Sequence, residues 1–272
     1  MSGNLRRNYI ESYFQSNGVD MKYNVDIVFV IDATGSMGMG NIIDVVKKMI
    51  PNFYKSAVKA LNDKNKHVDV LRVKLIFFRD FLEYNVDHIA PLMETDFFIL
   101  SDQYNDQSDS LLKSIASIEA IGGGDIPEDG LEALARAIQS DWCKPLDNHK
   151  RRHIIVLFTD APTHELGYGK DCNLYPQNMP KDFSELTYMW GNQIRHPGTM
   201  EYKAKRLIMF APEMSELPPD DGWRRIVEGR KNSNGEIIER PWDLLDLIEI
   251  NPNDEFKDVD FQRILDRIVN SV

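Results

Sequence analysis

Four stretches of the chain are nearly unbroken runs of branched and aromatic residues: VDIVFVI (25–31), LRVKLIFFRDF (71–81), HIIVLFTDAP (153–162) and KRLIMFAP (205–212). Such continuity predicts strands covered on both faces, as in a parallel sheet, rather than half-exposed alternating strands. Between them the rhythm changes to three or four residues. From about 41 to 62, Ile42, Val46, Met49, Ile50, Phe53, Ala57 and Leu61 mark one face of a helix, with a kink expected at Pro51. A second helix is expected over about 106–120. A third starts near 126, with Leu131, Leu134, Ala135 and Ile138 on its apolar side. The stretch 86–102 reads as a short edge strand and a turn. Near the C-terminus, Phe261, Ile264, Leu265 and Ile268 predict a last helix over about 260–271. Strand and helix thus alternate, which predicts an α/β fold.

Composition narrows the function. With 272 residues, 42% apolar and 28% charged, the chain can bury a sizeable core. The net charge of -11 argues against nucleic-acid binding, which needs a basic stripe. It suits a site that collects cations, or a basic partner. The two cysteines, Cys143 and Cys172, form no CxxC, and no run approaches the roughly 18 apolar residues of a membrane span. The expectation is a cytoplasmic protein that does not engage membrane.

The chemistry gathers where strands end. Asp32, Thr34 and Ser36 follow the first run, Asp160 closes HIIVLFTD, and Asp125 lies in the glycine-rich IGGGDIPEDG. In parallel sheets this carboxyl edge is where ligands bind. Carboxylates and hydroxyls together suit a hard divalent cation.

DATGS (32–36) resembles the D-x-[ST]-x-S signature of the von Willebrand factor A (vWA) domain. GGGDIPEDGLEAL and FTDAP resemble the loops that supply that family's remaining metal ligands. The resemblance implies a three-layer, doubly wound, mostly parallel six-stranded sheet of Rossmann-like form. It implies a metal ion-dependent adhesion site (MIDAS) built by Asp32, Thr34, Ser36, Asp125 and Asp160, holding Mg²⁺ (or Mn²⁺ or Ca²⁺). Residues 1–21 would be an N-terminal extension. Residues 22–272 would form one vWA domain with insertions near 163–202 and 229–258. Integrin-type members carry Thr where Asp125 stands. The Asp, and the RDF at 79–81, look like the intracellular, bacterial-type subset. Solitary domains of this kind work beside an ATPase, kinase or phosphatase encoded elsewhere. The implied function is a non-catalytic, metal-dependent protein-binding module, a regulatory or adaptor part of a multi-protein system and a monomer by itself.

Plainer readings stand beside these. Asp125 and Glu128 also fit a D-x-x-E capping box, with Pro127 in the first turn. Glu128 and Asp129 read as solvated first-turn acids. Asp80 would pair with Arg79 or cap a turn. His153, His164 and His196 lack metal-ligand spacing and read as structural or exposed. Tyr168, Tyr175, Tyr188 and Trp190 would form a partner surface or hold the 163–202 stretch to the body; the second is the preferred reading. The enzymatic alternative is an α/β-hydrolase using Ser36, because TGSMG nearly matches a nucleophile elbow. It leaves Asp32 unexplained and places the elbow too early.

The substitution at Asp125 has a consequence. Asp32, Asp125 and Asp160 more than neutralise a divalent ion, so an acidic ligand gains little Coulomb energy. Asp125→Thr should therefore tighten binding of a carboxylate-bearing peptide; unchanged or weaker binding would refute the charge argument.

Overall fold

The computed structural model describes residues 22–39, 42–63, 67–100, 106–124, 126–145, 149–191, 198–250, 266–267 and 269–270. Its strands are β1 (Lys22–Asp32), β2 (His67–Phe78), β3 (Leu92–Glu94), β4 (Phe98–Leu100), β5 (His149–Phe158), β6 (Lys205–Pro212), β7 (Arg230–Lys231), β8 (Ile237–Glu239) and β9 (Leu245–Ile250). Its helices are α1 (Gly35–Met39), α2 (Ile42–Asp63), α3 (Tyr84–Asp87), α4 (Ser108–Ala116), α5 (Gly130–Ile138), α6 (Phe183–Trp190) and α7 (Gly222–Glu228). The main sheet runs β3-β2-β1-β5-β6-β9, with β4 also paired to β2. Neighbours from β2 to β9 are parallel, and only β3 and β4 run antiparallel.

The described strands therefore begin at the sheet centre with β1, build outward through β2, then return to the far side of β1 and build the other way. This is the doubly wound arrangement, and its switch point lies between β1 and β5. Each strand feeds two cores, because successive side chains point to opposite faces. Val25, Ile27, Phe29 and Ile31 pack with Val46, Met49 and Ile50 of α2 and Leu111 and Ile115 of α4. Val28 and Val30 pack on the other face with Leu131 and Leu134 of α5, Trp190 of α6 and Trp223 of α7. Helices on both faces make the three layers that the continuous apolar strands require.

Several expectations shift. The helix expected near 126 begins at Gly130, so the residues before it stay in the loop. The first long helix runs through Pro51 as one element and is preceded by the short α1. The stretch 229–258 is more than an elaboration: it contains β9, which pairs in parallel with β6. Its LDLIEI sequence carries two acids, Asp246 and Glu249, among four apolar residues, which suits a strand at the edge of the sheet rather than its centre. The last helix expected over 260–271 falls almost wholly outside the described residues. No helix among the described residues is long and apolar enough to cross a membrane.

At the N-terminal end of β1, Asp26 accepts two bonds from Arg72 at 2.8 and 2.6 Å and one from the Cys143 amide at 2.6 Å. Burial, then Asp26, pushes the Cys143 thiol up to about 12, so it stays a protonated, unreactive group.

Gly130 lies under the indole of Trp223, where an added Cβ would stand 2.4 Å from Cζ2. Gly130→Ala should cost about 1–3 kcal/mol through overpacking. Chemical denaturation checks this, and an unchanged midpoint would refute the close fit.

Candidate functional site

The carboxyl ends of β1 and β5 bring Asp32, Thr34, Ser36 and Asp160 into one continuous chain of hydrogen bonds. Asp32 is the last residue of β1 and is wholly buried. Its Oδ1 accepts from the Thr34 amide at 3.0 Å and the Thr34 hydroxyl at 2.6 Å. Its Oδ2 accepts from Thr159 Oγ1 at 2.9 Å. Thr34 Oγ1 lies 3.1 Å from Ser36 Oγ, which donates to Asp160 Oδ1 at 2.9 Å. The remaining candidate, Asp125, lies outside the described residues, as do His196 and the side chain of Met39.

The turn that presents these groups is locked from the side. Ala33 N donates to Phe78 O at 2.9 Å, which extends the β1–β2 ladder past the end of β1. Gly35 N donates to Gly122 O at 2.9 Å, and Ile121 N donates to Ala33 O at 3.1 Å. The glycine-rich loop is thus stitched directly onto DATGS. Gly123 sits at φ +83°, and a Cβ there would stand 3.0 Å from Thr34 Cβ and 2.8 Å from Glu128 Oε1. Only glycine meets both demands.

Arg79 anchors the assembly. Its Nε donates to Ala33 O at 3.0 Å and Ile121 O at 2.9 Å. Nη1 reaches Ala90 O at 3.1 Å and Nη2 reaches Glu119 O at 2.7 Å. Asp80, expected to pair with Arg79 or cap a turn, caps: its Oδ1 accepts from Leu82 N at 2.7 Å.

Glu128 and Asp129 are not the solvated acids expected from their place before a helix. Glu128 is 4% exposed and Asp129 wholly buried. The helix starts later than the sequence predicts, and the preceding strip is pulled inward instead. Glu128 bridges in parallel to Thr163. Its amide donates to Pro162 O at 3.0 Å, while its carbonyl accepts from the Thr163 hydroxyl at 3.0 Å and the His164 amide at 2.9 Å. The loops before α5 and after β5 are therefore one structure. In the sequence, the charged PED between two apolar stretches looked like surface; the bridge to Thr163 is a long-range contact that carried no local signal.

Crowded acids shape the electrostatics. Burial, then the neighbouring Asp160, pushes Asp32 up to about 6 against the bonds from Thr34 and Thr159. Burial also raises Asp160, partly offset by the Ser36 hydroxyl. Glu128 is pushed up to about 9 by burial and then by Asp32, so it is neutral at pH 7. Buried charge of one sign is expensive unless paired or metal-bound. The described partners of Asp32 are an amide and two hydroxyls, not a cation. An all-oxygen donor set around a buried carboxylate fits a hard divalent ion.

The four aromatic residues expected to form a partner surface or to hold the 163–202 stretch divide. Trp190 is wholly buried, and Tyr175 packs against Phe81 in a tilted pair with ring centroids 5.1 Å apart, so both hold the stretch to the body. Tyr188 is 69% exposed and Tyr168 46%.

No family model matches the chain. A mimivirus protein, named as an ariadne-like RING finger protein of Acanthamoeba polyphaga mimivirus, is 26% identical over 157 residues, covering 56% of this chain and 12% of that one. The chain thus spans about an eighth of the curated relative it matches. Among solved structures, the pilus adhesin SpaC of Lactobacillus rhamnosus GG superposes with a TM-score of 0.46 at 13% identity, covering 91% of this chain and 30% of the adhesin. Proximal thread matrix protein 1 of the mussel byssus, described with a zinc-occupied MIDAS motif, gives a TM-score of 0.40 at 12% identity, covering 92% and 46%. The vWF domain of the pilus tip protein Mfa5 from Porphyromonas gingivalis gives 0.32 at 20% identity, covering 53% and 40%.

Because Arg79 positions both loops without touching the oxygen cluster, Arg79→Gln should weaken Mg²⁺ binding about 10–100-fold, the range for lost outer-shell support. Calorimetric titration measures this. Unchanged affinity would show that the loops hold their places without the guanidinium.

Proposed function

We propose that the chain is a non-catalytic, divalent-metal-dependent protein-binding module of the vWA type. Asp32, Thr34, Ser36 and Asp160, with Asp125 from the glycine-rich loop, hold the ion, which is Mg²⁺ or a similar cation. The observation that carries this reading is the unbroken run Asp32–Thr34–Ser36–Asp160 across the β1/β5 switch point, rooted on a buried carboxylate. Hydroxyl protons bridge the acids there, and the same oxygens have lone pairs for an ion.

The module belongs to the intracellular subset of that family and acts as a regulatory or adaptor component in the cytoplasm. Its partner is a protein that does not present a carboxylate to the metal, because the site already carries an excess of negative charge. A hydrolase would want an imidazole on the Ser36 hydroxyl. Ser36 instead donates to Asp160 and contacts Thr34, which favours the binding module.

Titration of metal-stripped protein with Mg²⁺ and Mn²⁺ should show one stoichiometric event at this site, lost in Asp32→Ala. Pulldown in millimolar Mg²⁺ should then capture a partner that a chelator releases. Equal Mg²⁺ binding by wild type and Asp32→Ala would overturn the site assignment.

A further inference from the structure

Behind the first site lies a second group of metal-competent side chains. Asp80 follows β2, Asp129 precedes α5 and His164 lies beyond β5, and all three are buried. One carboxylate oxygen from each acid and one imidazole nitrogen lie within 4.8 Å of one another. His164 Nε2 is 3.6 Å from Asp80 Oδ2.

Each carboxylate is held by its other oxygen. Asp80 Oδ1 accepts from Leu82 N at 2.7 Å, and Asp129 Oδ2 accepts from Phe81 N at 2.7 Å. This outer support fixes both carboxylates and leaves one oxygen of each in the group with the imidazole. Asp129 Oδ1 is buried and, among the described residues, has no hydrogen-bond partner. A third acid stands close: buried Glu132, whose Oε1 accepts from Gly167 N at 2.7 Å and Tyr175 OH at 2.9 Å. Burial and then Glu132 push Asp129 up to about 8. The Tyr168 ring lies flat on the imidazole, centroids 3.8 Å apart at 11°.

The other metal-competent group, Asp26, Cys143 and His153, is already satisfied: Arg72 pairs with both oxygens of Asp26. Among the described residues, no arginine pairs with Asp129 as Arg72 does with Asp26. We propose that Asp80, Asp129 and His164 form a second divalent-metal site, one that takes a borderline transition ion such as Zn²⁺. One imidazole nitrogen with carboxylate oxygens is a donor set that Zn²⁺ accepts at about 2.0–2.2 Å, whereas Mg²⁺ prefers oxygen alone. Binding draws the outermost ligand atoms inward. The ion ties the ends of β2 and β5 to the start of α5. None of the three ligands belongs to the first site, so the inference stands apart from that reading.

The test is titration of metal-stripped full-length chain with Zn²⁺ in saturating Mg²⁺. Wild type should bind one Zn²⁺ that Mg²⁺ does not displace. Asp32→Ala should retain it, and His164→Gln should weaken it at least about tenfold while keeping Mg²⁺ binding. Zn²⁺ binding with no Mg²⁺ binding at all would support this site and sink the reading of the first. Unchanged Zn²⁺ affinity in both His164→Gln and Asp129→Asn would overturn the proposal. X-ray absorption of Zn²⁺-loaded wild type makes the decision independent of how the variants fold. Imidazole scattering beside oxygen supports the site, and an all-oxygen shell overturns it.

Discussion

A single guanidinium organises the upper edge of this molecule. Carbonyl groups at the ends of strands and in glycine-rich loops have no ladder partner, and buried without one each would cost about 1–3 kcal/mol. Arg79 gathers four of them, from Ala33, Ala90, Glu119 and Ile121. Its planar fork suits the task, since its donors point in fixed directions. The DATGS turn, the loop before α5 and the β2–β3 connection are therefore placed relative to one another before any ion is considered. The oxygens of Thr34 and Ser36 inherit their positions from that arrangement.

The second constraint is electrostatic. Asp32, Asp160, Glu128, Asp129, Asp80 and Glu132 crowd the same end of the sheet, and most are buried. Folding such a group requires hydrogen bonds to the carboxylates, shared protons or bound cations. The structure uses the first device at five of these acids: hydroxyls and an amide serve Asp32, the Ser36 hydroxyl serves Asp160, backbone amides serve Asp80 and Asp129, and Tyr175 with Gly167 serves Glu132. The raised positions of Asp32, Glu128 and Asp129 show that those bonds fall short of full compensation. That shortfall is what a bound cation would relieve.

Much of this was legible in the chain. Strand runs such as VDIVFVI and KRLIMFAP are read from continuity alone, because burial on both faces leaves no polar side. The signature DATGS announces itself by position, straight after such a run. What escaped is long-range. Glu128 and Asp129 obey every rule for exposed first-turn acids, and only their contact with the 162–164 strip turns them inward. His164 has no ligand spacing in sequence because its companions come from β2 and the α5 loop, 84 and 35 positions away. Arg79 was visible as a cation at the end of a buried strand, but its targets are backbone carbonyls, which sequence does not label. The strand β9 was hidden by its two acids, Asp246 and Glu249, which interrupt the apolar run.

The parallel bridge between Glu128 and Thr163 carries a final implication. Two adjacent acids on this strip serve different neighbourhoods, Glu128 beside Gly123 and Thr34, Asp129 at the Phe81 amide beside His164. Asp129 sits at φ -86°, ψ 48°, where the Gly130 amide donates to the Glu128 carbonyl at 3.0 Å, and this tight turn parts the two side chains. Loss or gain of one residue between Pro127 and Gly130 would displace that turn and with it the places of both acids. The length of this short strip, as much as its chemistry, is therefore under constraint. Chains of this design should tolerate substitution within it far more readily than insertion or deletion.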